Sequence, residues 1–324
     1  MKIEDRIWGD YSIDEGLLIE LIYSPEIIRL KEVSQFGLPY EYYPLKGFTR
    51  YEHSIGVMLL LRKLGADLEE QVAGLTHDVS HTAFSHLVDW VMGNRKNEDF
   101  QDLRHEKIIL ESGIGKTIQK HGLNPERIAK HENYSLLERP APELCADRMD
   151  YALREFLDWA APFEAGYCAQ SLSAVDGKIV FNDASSAKAF GYNYLKLQRE
   201  HWGGAEWTLR WEIFSEVLKF GLNSKIIGID DFNGEERTIL DKLERSRDTY
   251  VSTRIQMLKN NLDFEVNEKN PTYCLHKKFR YIDPSYIDGS NITKLSEKDE
   301  KYLEFLKIER ENNEKGISVK LKYA

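Results

Sequence analysis

Four side chains, His53, His77, Asp78 and Asp147, follow one another in an order that suits a single divalent cation. The pair His77-Asp78 lies inside Gly74-Leu-Thr-His-Asp-Val-Ser-His-Thr-Ala-Phe-Ser-His86. Arg50-Tyr-Glu-His53 precedes this run and Asp147-Arg148-Met-Asp-Tyr151 follows it. Two imidazoles and two carboxylates can hold one ion and leave positions open for water and a phosphate oxygen. Mixed nitrogen and carboxylate ligation suits Mn, Fe, Zn, Ni or Co; Mg favours oxygen alone and would enter with substrate. A bound ion lowers the pKa of a water and polarises a phosphoryl oxygen. The chemistry expected is therefore hydrolysis of a phosphoester or phosphoanhydride.

Such a set needs a scaffold that returns distant residues to one level. His53 and His77 are 24 residues apart, the length of two short helices and a turn, and antiparallel helices bring such positions together in a bundle core. Apolar spacing predicts a buried helix over Tyr51–Leu64, ended at Gly65-Ala-Asp67, with Asp67 capping the next helix over Leu68–Thr76. Further helices are predicted over Ser80–Val91, Arg104–Ser112, Pro125–Lys130 and Glu143–Ala160. A long helical stretch is predicted over Ala184–Phe220, broken at Gly203-Gly204. Pro39–Gly47 reads as an irregular loop and Asp176-Gly177 as a hairpin turn. After Gly221 the character changes. Asp230–Lys259 and Ser296–Asn312 read as charged helices, Thr272–Ile282 and Ile317–Tyr323 as strands. The fold class expected is mainly α. An all-helical bundle over 1–220 would hold the metal site, with a smaller α/β accessory lobe over 221–324 packed on it.

Net charge is −10, so a duplex-binding surface with excess Lys and Arg is not expected and nucleic acid is excluded as a first partner. An anionic small molecule needs only a few local cations. Apolar runs such as Val57-Met-Leu-Leu-Leu61 fall far short of the ~20 residues of a membrane helix. The charged amino terminus lacks a signal-peptide core, and a cytoplasmic location is expected. Cys145, Cys168 and Cys274 fit no zinc or redox spacing and read as buried small residues. Trp202, Trp207, Trp211 and Phe214 read as core or as the interface of a homo-oligomer. Lys277-Lys278-Phe-Arg280 reads as a solvated strand edge rather than an anion contact.

The ordered set, with its flanks, resembles the HD-domain phosphohydrolase superfamily, and within it the deoxynucleoside triphosphate triphosphohydrolases. The resemblance runs from about Ile28 to Glu155. Arg50-Tyr-Glu-His53-Ser-Ile-Gly56 is similar to that branch's Arg-Phe-Glu-His-Ser-x-Gly. Phe84-Ser85-His86 matches Phe-Ser-His, and Asp147-Arg148-Met-Asp150-Tyr151-Ala-Leu-Arg154 is similar to Asp-Arg-Leu-Asp-Tyr-x-x-Arg. The family run His-Asp-Ile-Gly-His-Gly-Pro-Phe-Ser-His carries Val79, Ser80, Thr82 and Ala83 here, so both glycines and the proline are absent.

The resemblance implies His53, His77, Asp78 and Asp147 as metal ligands, with Asp150 and Arg154 a structural helix pair. It implies catalytic positions at His81 and His105 and a supporting one at His86. Arg50 and Arg148 would contact phosphate, and Gln35 and Tyr151 the nucleoside. The substrate implied is a dNTP, cleaved to deoxynucleoside and triphosphate. An alternative is a dinuclear phosphodiesterase or nucleotide monophosphatase, with a second metal on His105 and His131. A third is a non-catalytic ligand-binding protein that keeps the HD fold; against it, uncompensated buried His and Asp are costly.

Overall fold

The computed structural model describes residues 1–43, 45–95 and 98–322. Its centre is the helix Arg50–Lys63, whose residues from His53 to Leu61 are all buried. The helix begins at a capping box: Glu52 N donates to Thr49 Oγ1 at 3.2 Å and Thr49 N to Glu52 Oε2 at 2.8 Å. It packs against Leu68–Thr76, which Asp67 caps by accepting from Glu70 N at 2.8 Å. A third helix, Ala146–Glu155, crosses close to the first at Gly56. A Cβ on Gly56 would overlap Asp150 Oδ1 and Arg154 Nη2, so only glycine allows this approach.

The segment after His77 departs from expectation. Ser80–Val91 is not one helix. Residues 77–80 and 83–86 form two turns and the helix runs only over Leu87–Met92. Phe84 and Ser85 take φ of 65° and 48°, a left-handed conformation that an α-helix cannot contain. Tertiary bonds hold it there: Ala83 N donates to Phe232 O at 2.9 Å and Phe84 N to Glu236 Oε1 at 3.1 Å.

The protein is mainly α with a smaller strand-containing carboxy-terminal region, and the core is not all-helical. Lys2–Asp5 and Gly9–Ser12 form an amino-terminal hairpin that alternation did not announce. The hairpin at Asp176-Gly177 forms as expected, with φ of 49° and 70°. Its second strand, Lys178–Phe181, pairs in parallel with Ser285–Asp288 through Phe181 and Tyr286. A three-stranded antiparallel sheet sets Ile317–Leu321 between Phe264–Val266 and Tyr273–Leu275. Only Tyr273–Leu275 of the strand predicted over Thr272–Ile282 is a strand.

Two large apolar cores result. One gathers the amino-terminal helices; the other joins Trp207–Leu218 to Leu240, Leu258 and Val319. The 77–86 run lies on their seam, with Val79 in the first core and Ala83 and Phe84 in the second. Burying Phe84 and Val79 contributes about 1.5–3 kcal/mol each, which anchors the irregular backbone on both sides. Cys145 and Cys168 are buried as expected, but Cys274 is exposed on its strand. Among the described residues, no helix is long and apolar enough to cross a membrane.

Candidate metal centre

His53, His77 and Asp147 come from three elements that the fold brings to one point. His53 is in the first turn of its helix, His77 ends the helix Leu68–Thr76, and Asp147 opens Ala146–Glu155. His53 Nε2 lies 2.9 Å from Asp147 Oδ1 and 3.3 Å from His77 Nε2, which is 3.7 Å from the same carboxylate oxygen. With metal–nitrogen and metal–oxygen bonds of about 2.0–2.2 Å, ligand atoms at right angles stand about 3 Å apart. The donor set therefore fits a divalent ion.

The far side of each ring supports this fit. His53 Nδ1 donates to Asp150 Oδ2 at 2.8 Å and His77 Nδ1 to Gly74 O at 2.7 Å. With each Nδ1 proton held behind, a cation that displaces any Nε2 proton meets a lone pair from each ring, as at ligating imidazoles with such outer partners. Three acceptors facing one another need a cation between them. Burial opposes a proton there, but Asp147 and Asp150 outweigh it and hold the His53 pKa up at about 9. Burial likewise opposes the Asp147 charge, yet its bonds to both histidines hold that carboxyl well below its usual range.

Asp78 is adjacent. Its Oδ1 is 3.5 Å from His77 Nε2 and its Oδ2 3.7 Å from His53 Nε2. Arg50 orients it, Nη1 donating to Asp78 Oδ2 at 2.7 Å. The same guanidinium donates from Nε to Ser85 Oγ and from Nη2 to Gln35 O. Arg50 is therefore tied into the site rather than extended toward solvent.

Of the other expected residues, Gln35, His81, His86, His131, Arg148 and Tyr151 line a cavity of ≈ 500 Å³, and His105 stands behind His131. His81 Nε2 faces Asp78 Oδ1 at 3.2 Å, while its Nδ1 has no partner among the described residues. Burial, with Arg50 nearby, pushes its pKa down to about 4. His86 packs edge-on to His81 with centroids 4.9 Å apart. His105 and His131 meet Nε2 to Nε2 at 3.0 Å. His105 and His131 do not join a third donor in a compact group among the described residues. Gln35 lines the cavity, its Oε1 without a partner among the described residues. The Tyr151 hydroxyl bonds that of Tyr194 at 2.7 Å. Arg148 also lines it, but donates to the Glu143 and Arg139 carbonyls.

Several residues in or behind the site escape a reading of the sequence. Asp150 reads there as the partner of Arg154, which it is, at 2.8 Å; its bond to His53 is additional. The signal is present, since Asp147 and Asp150 share a helix face at i, i+3. Glu138 and Glu155 have no local signal. Burial and the nearby Asp147 raise the Glu138 pKa to about 7, and burial alone raises Glu155 strongly. Trp202, Trp207 and Trp211 are only 3–5% exposed and line the cavity within the chain, so they are not an exposed interface. Lys277-Lys278-Phe-Arg280 is not a solvated edge. It lines the same cavity.

Residues 50–154, from Arg50 through all four proposed ligands, match the family model described as HD domain. A Bacillus subtilis relative, uncharacterized protein YdhJ, is 34% identical over 331 residues, 99% of each chain. The metal-dependent phosphohydrolase cns2 of Cordyceps militaris is 32% identical over 62% of this chain and 60% of its own. The human deoxynucleoside triphosphate triphosphohydrolase SAMHD1 is 29% identical over 44% of this chain and 26% of its own. A solved structure of a hypothetical protein from Aquifex aeolicus superposes with a TM-score of 0.68 at 19% identity, covering 94% of this chain and 93% of its own. The chain belongs to the HD-domain superfamily of metal-dependent phosphohydrolases.

Proposed function

We propose that this HD phosphohydrolase acts on nucleotides, and that a deoxynucleoside triphosphate is hydrolysed to deoxynucleoside and triphosphate. The observation that carries the proposal is the convergence of His53 Nε2, His77 Nε2 and Asp147 Oδ1 beside Asp78, with each imidazole's Nδ1 proton tied off behind. These four residues would hold one Mn, Fe, Zn, Ni or Co ion, with Mg admitted alongside substrate. The ion would supply an activated water and a polarised phosphoryl oxygen.

The chain's own residues do the rest. Water adds at the α-phosphorus, the Pα–O5′ bond breaks, and the leaving oxygen takes a proton from His81 or His105. Burial keeps both rings neutral in the free protein, and phosphate charge arriving beside them favours the protonated form. Arg50 fixes Asp78, and with Arg148 offers positive charge to the phosphates. Gln35 and Tyr151 meet the sugar, His86 supports His81, and residues 221–324 serve as an accessory lobe on a 1–220 core. The Arg50–Gly56 and Asp147–Arg154 motifs, and the relative named a triphosphohydrolase, support the dNTP.

The contact between His105 and His131 favours a second reading, a dinuclear phosphodiesterase or monophosphatase with the second ion on this pair. One assay separates the two. Triphosphate release is measured from four dNTPs and four NTPs with each candidate metal, beside Asp147→Ala. Metal-dependent release, lost in the variant and accompanied by one ion per chain, supports the first. No triphosphate, with phosphate or diester cleavage and two ions per chain, replaces it with the second.

A further inference from the structure

The carboxy-terminal lobe sends cations into the catalytic cavity. Between the strands Tyr273–Leu275 and Ser285–Asp288 the chain has no regular structure, and residues 277–281 line the cavity. Lys277 Nζ sits 3.1 Å from the centroid of Trp211 and 4.8 Å from that of Trp90. It also lies 3.3 Å from Glu98 Oε1, while Arg280 Nη2 lies 3.1 Å from Glu98 Oε2. The Glu98 side chain is 1% exposed, and its backbone takes a left-handed φ of 54°. One carboxylate thus faces two cations in a buried setting.

The run is held from behind. Asn313 Nδ2 donates to Lys277 O at 2.9 Å, Gln198 Nε2 donates to Asn313 Oδ1 at 2.9 Å, and Arg280 N donates to Gln198 Oε1 at 3.1 Å. The two cations are pre-positioned before any ligand arrives. Among the described residues, the Arg280 guanidinium makes one hydrogen bond, to Glu98, and keeps its other donors. Arg50 and Arg148, by contrast, are engaged with Asp78, Ser85 and backbone carbonyls.

We propose that Arg280 and Lys277 form an anion subsite of the catalytic cavity, which takes a phosphate of a polyphosphate substrate other than the one attacked, with Glu98 as its resident counter-charge. The subsite rests on the phosphohydrolase reading for its substrate class, not for its existence. Local charge agrees. Burial, with Arg280 adjacent, pushes the Lys277 pKa down to about 7 despite Glu98. A site where one carboxylate under-compensates two bases gains from a second anion. Buried, charge-assisted bonds to a guanidinium are strong and favour phosphate geometry.

The test is binding of inorganic tripolyphosphate to the full chain after chelator treatment, by calorimetry, at two salt concentrations. The wild type should bind, more weakly at the higher salt. Arg280→Gln should bind about tenfold more weakly, a change of roughly 1.4 kcal/mol. Arg280→Lys should recover part of the loss, and Glu98→Gln, nearly isosteric, should bind more tightly than wild type. Wild-type binding that Arg280→Gln leaves unchanged, or no binding by either wild type or Glu98→Gln, overturns the subsite. Hydrolysis is assayed separately. An inert protein that still binds tripolyphosphate through Arg280 defeats the phosphohydrolase reading and keeps the subsite.

Discussion

Asp150 holds His53 from behind: its Oδ2 accepts the Nδ1 proton at 2.8 Å, while Arg154 and Trp8 grip the same carboxylate. Arg154 is in turn paired to Asp5 at 2.6 Å. The amino-terminal hairpin is thus tied, through two ion pairs, to the ring that faces the metal position. Replacing Asp150 by Asn weakens a charge-assisted bond and frees the tautomer. Metal affinity should fall about 10–100-fold. Metal titration with a competing chelator measures it, and an unchanged affinity removes Asp150 from the supporting shell.

Gly56 tests the same region sterically. A methyl group added at this position would press on Asp150 and Arg154. Gly56→Ala should cost about 1–3 kcal/mol of stability as an overpacked core and lower metal content together with it. Thermal unfolding and metal analysis of the same sample check both. Full metal occupancy with a lowered Tm would separate the packing from the site.

Glu236 lies outside the sequence window that matched a family, yet its Oε1 accepts from Ser34 N, Ser34 Oγ and Phe84 N at 2.7–3.1 Å. It fixes the left-handed turn whose Ser85 hydroxyl meets Arg50 at 2.9 Å. Glu236→Leu leaves buried donors unpaired, at about 1–3 kcal/mol each, and should lower kcat more than it raises KM. Glu236→Gln keeps the carbonyl acceptor and should retain most activity. Equal losses in the two variants would point to the charge instead of the hydrogen bonds.

Lys277 gives stability a pH dependence of definite sign. Its folded pKa is about 7 against ~10.4 in an unfolded chain. Between those values the unfolded chain holds a proton that the folded chain has released, so stability falls as pH drops and rises with pH across that window only while the unfolded chain stays protonated. Below it both states are protonated and the contribution no longer changes. Wild type should therefore gain Tm relative to Lys277→Met as pH is raised from about 7 to about 9. A flat difference would show that Lys277 stays charged throughout.

Helices were legible where their signals were local. Gly65 and Asp67 turn the chain, and the apolar spacing over Tyr51–Leu64 marks the buried helix. The proposed ligands could be read because His77-Asp78 is contiguous and His53 and Asp147 sit in short distinctive runs. What was not legible depends on distant partners. Ser80–Val91 has helical spacing, but Glu236 and Phe232 hold its first half in turns. Lys277 to Arg280 looks like a solvated edge until Glu98, Trp90 and Trp211 enclose it. Thr272–Ile282 has strand composition, but among the described residues its second half pairs with no strand and is fastened by Asn313 and Gln198 instead.

The parallel pairing of Phe181 with Tyr286 has a consequence during synthesis. His53, His77, Asp78 and Asp147 are all made before residue 150, whereas Glu236, Lys277 and Arg280 emerge much later. A nascent chain can assemble its donor set while the turn at Phe84 is unclamped and one cavity wall has yet to be translated. The enclosure is therefore completed late, once residues 277–281 have emerged and closed that wall. A ribosome-stalled or truncated product would carry the ligands without the enclosure that selects what reaches them.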